Sequence, residues 1–123
     1  MPDRDSTSPP RRILLATKDA ILRSTRQAII AGLGYDVVAP ATEDEVWNLI
    51  KTQPFDLLIL GNTLEPDTSL RLAAEYRRNQ PHGRILEIVK FAGESAFGNP
   101  DGTVGNLDGP LALRRAVEDQ LAR

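Results

Sequence analysis

Apolar positions fall along this chain in short unbroken runs and in helical stripes, and the two kinds alternate. Behind Arg11 and Arg12 stands Ile13-Leu14-Leu15-Ala16, the pattern of a strand covered on both faces. The period then lengthens. Ile21, Thr25, Ala28, Ile29 and Gly32 fall on one helical face, widened by Leu22 and Leu33. Asp19 stands where this helix needs an N-cap, and Gly32 and Gly34 stand where a left-handed C-cap would end it. A second strand is expected over residues 35–40. Thr42 and Glu45 then have the spacing of a capping box, opening a helix whose inner face is Val46, Leu49 and Ile50. Pro54 closes that connection. A third strand is expected over 56–60, and a third helix from about 67 to 79 that buries members of the set Leu70, Ala73, Ala74 and Tyr76. A fourth strand covers 84–89 and a weaker fifth 103–105. The last helix starts at Pro110, a favoured first-turn residue, with Leu113, Val117 and Leu121 as its inner stripe.

Alternation of strand and helix predicts a doubly wound α/β domain, with a parallel sheet between two layers of helices. Residues 1–10 are polar and proline-bearing, which predicts a disordered tail before a single domain over 11–123. Between the fourth and fifth strands the chain reads KFAGESAFGNPDG. A helix interior is destabilised by about 1 kcal/mol by a glycine and about 3 kcal/mol by a proline. Only residues 94–97 could form about one turn, so the helix expected here is shortened or replaced by a loop.

Composition narrows the chemistry. The chain has 123 residues and no cysteine, which removes disulfides, thiolate catalysis and cysteine-ligated zinc. A formal charge of −2 argues against binding nucleic acid through its phosphates. No apolar span is long enough for a membrane, so a cytoplasmic location is the default. The stretch FDLLILGNTL reads as a buried strand delivering its last residue, Gly61, to the sheet rim where α/β proteins keep their chemistry. Glycine brings no functional group there.

Four segments, in order, resemble the receiver domain of bacterial response regulators. RRILLATKD is similar to that family's first strand and acidic turn, and ILRSTRQAIIAGLGYDVVAPAT to its first helix and second strand. PFDLLILGNTL is similar to its third strand and phosphoacceptor turn, and GNLDGPLALRRAVEDQLA to its last strand and helix. The resemblance covers 11–123. It implies a flavodoxin-like five-stranded parallel sheet in the order 2-1-3-4-5. It also implies where a phosphoryl group would be received: on an aspartate after the third strand, beside magnesium held by acidic residues after the first strand. A hydroxyl after the fourth strand and a lysine after the fifth would bind the phosphoryl oxygens. Here the aspartate position holds Gly61 and the acidic positions hold Thr17 and Lys18. The hydroxyl position holds Val89 (Lys90 if the register slips by one), and the lysine position holds Asn106 followed by Leu107. All these roles are vacant, and Lys18 would repel magnesium.

The expectation is a phosphorylation-independent pseudo-receiver, without cofactor or catalytic activity, that binds a protein partner or itself in bacterial signal transduction. One alternative is a small-molecule or anion site in the space vacated at Gly61, lined by Asn62, Thr63, Thr17 and Lys18. Another is phosphorylation at an atypical residue, Asp67 or the more distant Asp56. The candidate partner surface comprises Trp47, Arg71, Arg78, Arg114 and Arg115, with an Arg71–Glu75 pair at i, i+4 as the solvated-face alternative. Gly93-Glu94-Ser95-Ala96-Phe97-Gly98 misses the G-x-S-x-G elbow at Phe97. His82, the single histidine, lies in a turn at the other edge of the sheet.

Overall fold

The computed structural model describes residues 10–90, 95 and 100–122. The expected tail, apart from Pro10, and the one-turn expectation at 94–97, apart from Ser95, lie outside the described residues, as does most of the elbow-like stretch. The elements are β1 (Arg12–Ala16), α1 (Ala20–Ala31), β2 (Asp36–Val38), α2 (Glu43–Thr52), β3 (Leu57–Leu60), α3 (Pro66–Asn79), β4 (Arg84–Val89), β5 (Gly102–Gly105) and α4 (Pro110–Leu121). All strand pairs are parallel and the order is β2-β1-β3-β4-β5. Among the described residues there are four helices. None of these four lies between β4 and β5.

The unbroken apolar runs of β1 and β3 reflect burial from both sides. Ile13, Leu15, Leu57 and Ile59 face one core with Leu86, Ile88, Val104 and the α4 stripe Leu113, Val117 and Leu121. Leu14, Ala16, Leu58 and Leu60 face the other with Val46, Ile50, Leu72 and Tyr76. Each fully buried Leu or Ile stabilises the fold by about 1.5–3 kcal/mol relative to exposure. Side chains alternate across the sheet with period two, so α1 and α4 share one face and α2 and α3 the other. The cap at α1 is formed by Asp19 Oδ1, which accepts from the N–H groups of Ile21 and Leu22, both at 2.9 Å. Thr42 and Glu45 make the expected capping box at α2.

Two details of the sequence reading, at α1 and at Gly32, are corrected, and the buried members of the α3 set are Ala73 and Tyr76. The inner face of α1 is rotated by one residue: Ile21 is 77% exposed, whereas Arg26 and Ile30 are buried. The Asp19 cap fixes the helix phase, and Ile21 lies in a first turn at the sheet's rim with nothing to cover it. In α3, Leu70 and Ala74 are exposed while Leu72, Ala73 and Tyr76 turn inward. Gly34 adopts the left-handed conformation, with φ 94°, but Gly32 is right-handed, with φ −62°, because the chain turns out of the helix only after Leu33.

Candidate functional site at the carboxyl end of the sheet

Parallel strands deliver their carboxyl ends to one rim. The register sets Ala16 beside Leu60, Leu60 beside Glu87, and Val89 beside Gly105. Continued by one residue, this register sets Thr17 beside Gly61 and Gly61 beside Ile88, with Lys90 and Asn106 two residues farther along β4 and β5. Two backbone bonds extend the ladder past the strands: Gly61 N–H to Ala16 O at 2.8 Å, and Asn106 N–H to Val89 O at 2.7 Å.

The space a side chain on residue 61 would need is already taken. A Cβ built on Gly61 would lie 2.7 Å from Thr17 Oγ1 and 2.8 Å from Thr17 Cβ, closer than any van der Waals contact allows. Thr17 is buried, and its hydroxyl lies 2.8 Å from Thr63 Oγ1. Thr63 Oγ1 also accepts from Lys18 N–H at 3.0 Å. Of the residues expected to line a vacated pocket, Thr17 and Thr63 are thus spent on one another. The Lys18 side chain is exposed and makes no hydrogen bond or ion pair within the described residues. Gly61 and Asn62 do border a cavity of about 500 Å³, but it opens toward β4 and is lined also by Ser69, Glu87, Lys90 and Ser95.

Two buried charged side chains near this rim escaped the sequence reading. Arg26 reaches from α1 across the rim, where its Nη2 donates to Asn62 Oδ1 and to Asn106 Oδ1, both at 2.8 Å. It ties the turn after β3 to the turn after β5. Arg26 is only 6% exposed. Its pKa is lowered by burial, with Asp19 opposing the shift, and its Nη1 is buried without a partner. The four-residue spacing of Leu22, Arg26 and Ile30 was the signal for it. Glu87 is a buried carboxylate within the apolar run of β4 and accepts from Ser95 Oγ at 2.6 Å. A single charge inside an unbroken apolar run marked it.

The remaining expected positions are dispersed. Val89 is buried at the end of β4 and Lys90 is exposed. Trp47 is half-buried against the α2–α3 core, with Nε1 donating to Glu43 Oε2 at 3.0 Å. Arg71 pairs with Asp67 at 3.2 Å, not with Glu75, which pairs with Arg78 instead; a first-turn carboxylate one turn back is equally within reach of Arg71. Arg114 and Arg115 are exposed on α4, across the sheet from α2 and α3, so the candidate residues do not form one patch. The exposed large apolar residues, Ile21, Leu70, Leu107 and Leu111, lie instead in the first turns of α1 and α4, at the start of the second turn of α3 and in the loop before α4, toward the carboxyl end. His82 is exposed in the turn before β4, at the opposite end of the sheet from this rim. Among the described residues no group of three or more His, Asp or Glu is placed to hold a metal, and no helix is long and apolar enough to cross a membrane.

A five-stranded parallel sheet in this order, with its switch point between β1 and β3, defines a doubly wound α/β domain of the flavodoxin-like kind. Solved structures place it further, in the fold of response-regulator receiver domains. A CheY-like receiver domain protein from Methanospirillum hungatei is 19% identical, with a TM-score of 0.80 over 92% of this chain and 94% of that one. A response regulator from Burkholderia pseudomallei, solved with a phosphorylated aspartic acid, calcium and citrate, is 22% identical, with a TM-score of 0.69 over 91% of this chain and 72% of that one. The response regulator TrrA, solved in complex with the histidine kinase ThkA, is 18% identical, with a TM-score of 0.75 over 90% and 98%. No protein-family model matches the sequence, and no curated protein matches it.

Proposed function

We propose that this chain is a pseudo-receiver: a signalling module that binds a protein partner, or a second copy of itself, without being phosphorylated. The observation that carries this reading is Thr17 standing where the side chain of residue 61 would be, hydrogen-bonded to Thr63. A receiver switches because an acyl phosphate at that position draws in a hydroxyl and a lysine. Here the position holds a glycine, and its neighbours already bond one another. Arg26 supplies the cation at the rim, but it spends two hydrogen bonds holding Asn62 and Asn106.

The rim does not fit magnesium. A hard divalent cation needs several oxygen ligands, usually carboxylates. Thr17 offers a neutral hydroxyl, Lys18 an ammonium, and Gly61 nothing, while the Asp19 carboxylate caps α1. The atypical phosphoacceptors are also engaged: Asp56 accepts from Arg12 N–H at 2.8 Å, and Asp67 pairs with Arg71. The exposed apolar residues at the rim, led by Leu107 at 86% exposure, favour a protein contact there. Incubation with acetyl phosphate and magnesium, followed by intact mass, tests the reading. The unmodified mass is expected; a magnesium-dependent phosphoryl adduct would overturn it.

A further inference from the structure

The cavity of about 500 Å³ beside Gly61 lies on the α3 side of the sheet. Glu87 alternates with Leu86 and Ile88, which face the α4 core, so its side chain turns toward α3. Ser69 lines the cavity from α3 itself. Sites for small molecules commonly measure ~300–1,000 Å³ and join apolar walls to a few convergent polar groups. Leu64, Pro66 and Val89 supply the apolar walls here.

The polar groups of the lining are of opposite kinds. Glu87, only 4% exposed, brings a carboxylate. A carboxylate offers about four acceptor positions, and the Ser95 hydroxyl takes one of them. Donors face it. Asn62 Oδ1 accepts from Arg26 on the α1 side, which turns the Asn62 Nδ2 away from Arg26, toward the cavity that Asn62 lines. Ser69 is 2% exposed. Neither Asn62 Nδ2 nor the Ser69 hydroxyl bonds to a described residue, and neither is sealed off from the cavity. Lys90 lines the cavity and is exposed, and its ammonium makes no hydrogen bond or ion pair with a described residue.

A simple anion here would meet the Glu87 carboxylate, and a simple cation would leave the donors unmatched. A ligand carrying both charges satisfies both sets, and an apolar body suits the walls. We infer that this cavity binds an apolar α-amino acid. The ligand's ammonium donates to Glu87, its carboxylate accepts from Asn62 Nδ2, Ser69 and Lys90, and its side chain lies against Leu64, Pro66 and Val89. The site goes beyond the partner contact proposed above, and it stands whether or not the chain is phosphorylated.

The test titrates the whole chain with L-leucine and L-phenylalanine at constant ionic strength. Isocaproate and hydrocinnamate, which lack the ammonium, and isopentylamine and phenethylamine, which lack the carboxylate, are titrated beside them. Amide resonances and thermal unfolding are the readouts. The amino acids should give saturable shifts centred on residues 61–69 and 87–90. Each should raise Tm by ~5 °C at ten times its Kd. The acids and the amines should bind about tenfold more weakly or not at all, and Glu87→Gln should weaken the amino acids about tenfold. Equal binding of an amino acid and its ammonium-free acid overturns the proposal, as does unchanged affinity in Glu87→Gln. Saturation by neither amino acid also overturns it, as do shifts that fall only outside those residues. If Glu87→Gln does not fold, the comparison of amino acid with acid on the unaltered chain decides alone.

Discussion

The two ends of the parallel sheet handle their polar groups differently. At the amino end the polar groups around the strand starts serve the fold. Asp56 takes the Arg12 N–H, Tyr76 Oη donates to Phe55 O at 3.1 Å, and Gln80 accepts from Phe55 N–H while donating to Gln53 O. Asp101 accepts from Ile85 N–H at 2.7 Å, and Arg84 donates to Gln120. The carboxyl end is tied down in a similar way through Thr17, Thr63, Arg26, Asn62 and Asn106. One difference remains: Arg26 Nη1 is the buried side-chain polar atom without a partner among the described residues. At an end that usually keeps reactive groups free, the buried polar side chains named here serve the fold. That is why its function is sought in contact and binding instead of group transfer.

The comparison can be broken first at the amino end. A Cβ on Gly83 would lie 2.1 Å from Tyr76 Oη and 2.5 Å from the ring carbon that bears it. The ring is fully buried and cannot retreat. Gly83→Ala should therefore cost about 3 kcal/mol, combining overpacking with a lost buried hydrogen bond. Urea unfolding measures it, and a cost below about 1 kcal/mol would show the latch to be slack.

At the carboxyl end, Gly61→Ala should cost about 2 kcal/mol by forcing Thr17 aside. In a Thr17→Gly background the cost should fall by more than half, since the atoms it strikes are gone. Additive costs in the double-mutant cycle would mean that Thr17 does not fill the position of the missing side chain.

Tyr76→Phe should cost about 1 kcal/mol near neutral pH. Its sharper signature is alkaline. Burial, with Asp56 and Asp101 behind it, raises the Tyr76 pKa above its ordinary value. Above about pH 10 the unfolded chain loses the phenolic proton while the folded chain keeps it. The unfolded state then binds fewer protons, so stability falls as pH rises, by up to about 1.4 kcal/mol per unit. Tyr76→Phe should flatten that slope, and equal slopes in both proteins would contradict the burial argument.

Much of this was legible in the residues. The runs at β1, β3 and β4 needed only apolar length, and the Leu113–Val117–Leu121 stripe only spacing. The emptiness of residue 61 was visible as a glycine at the end of a strand. The phase of α1 was not, because Ile21 and Leu22 offer two adjacent stripes, each continued by apolar residues, and the Asp19 cap together with the sheet beneath chooses between them. With the phase went Arg26, which looks like a surface charge until Leu22, Arg26 and Ile30 are set on one line. What fills the space at Gly61 depends on Thr17, 44 positions earlier, and only the β1–β3 pairing brings the two together.

The central claim is that the rim keeps one arrangement whether or not a phosphoryl mimic is offered. Backbone amide spectra with and without beryllofluoride and magnesium test it most directly. Superimposable spectra are predicted, with residues 61–64 and 104–107 unmoved. Saturable, magnesium-dependent shifts at those residues would contradict the account.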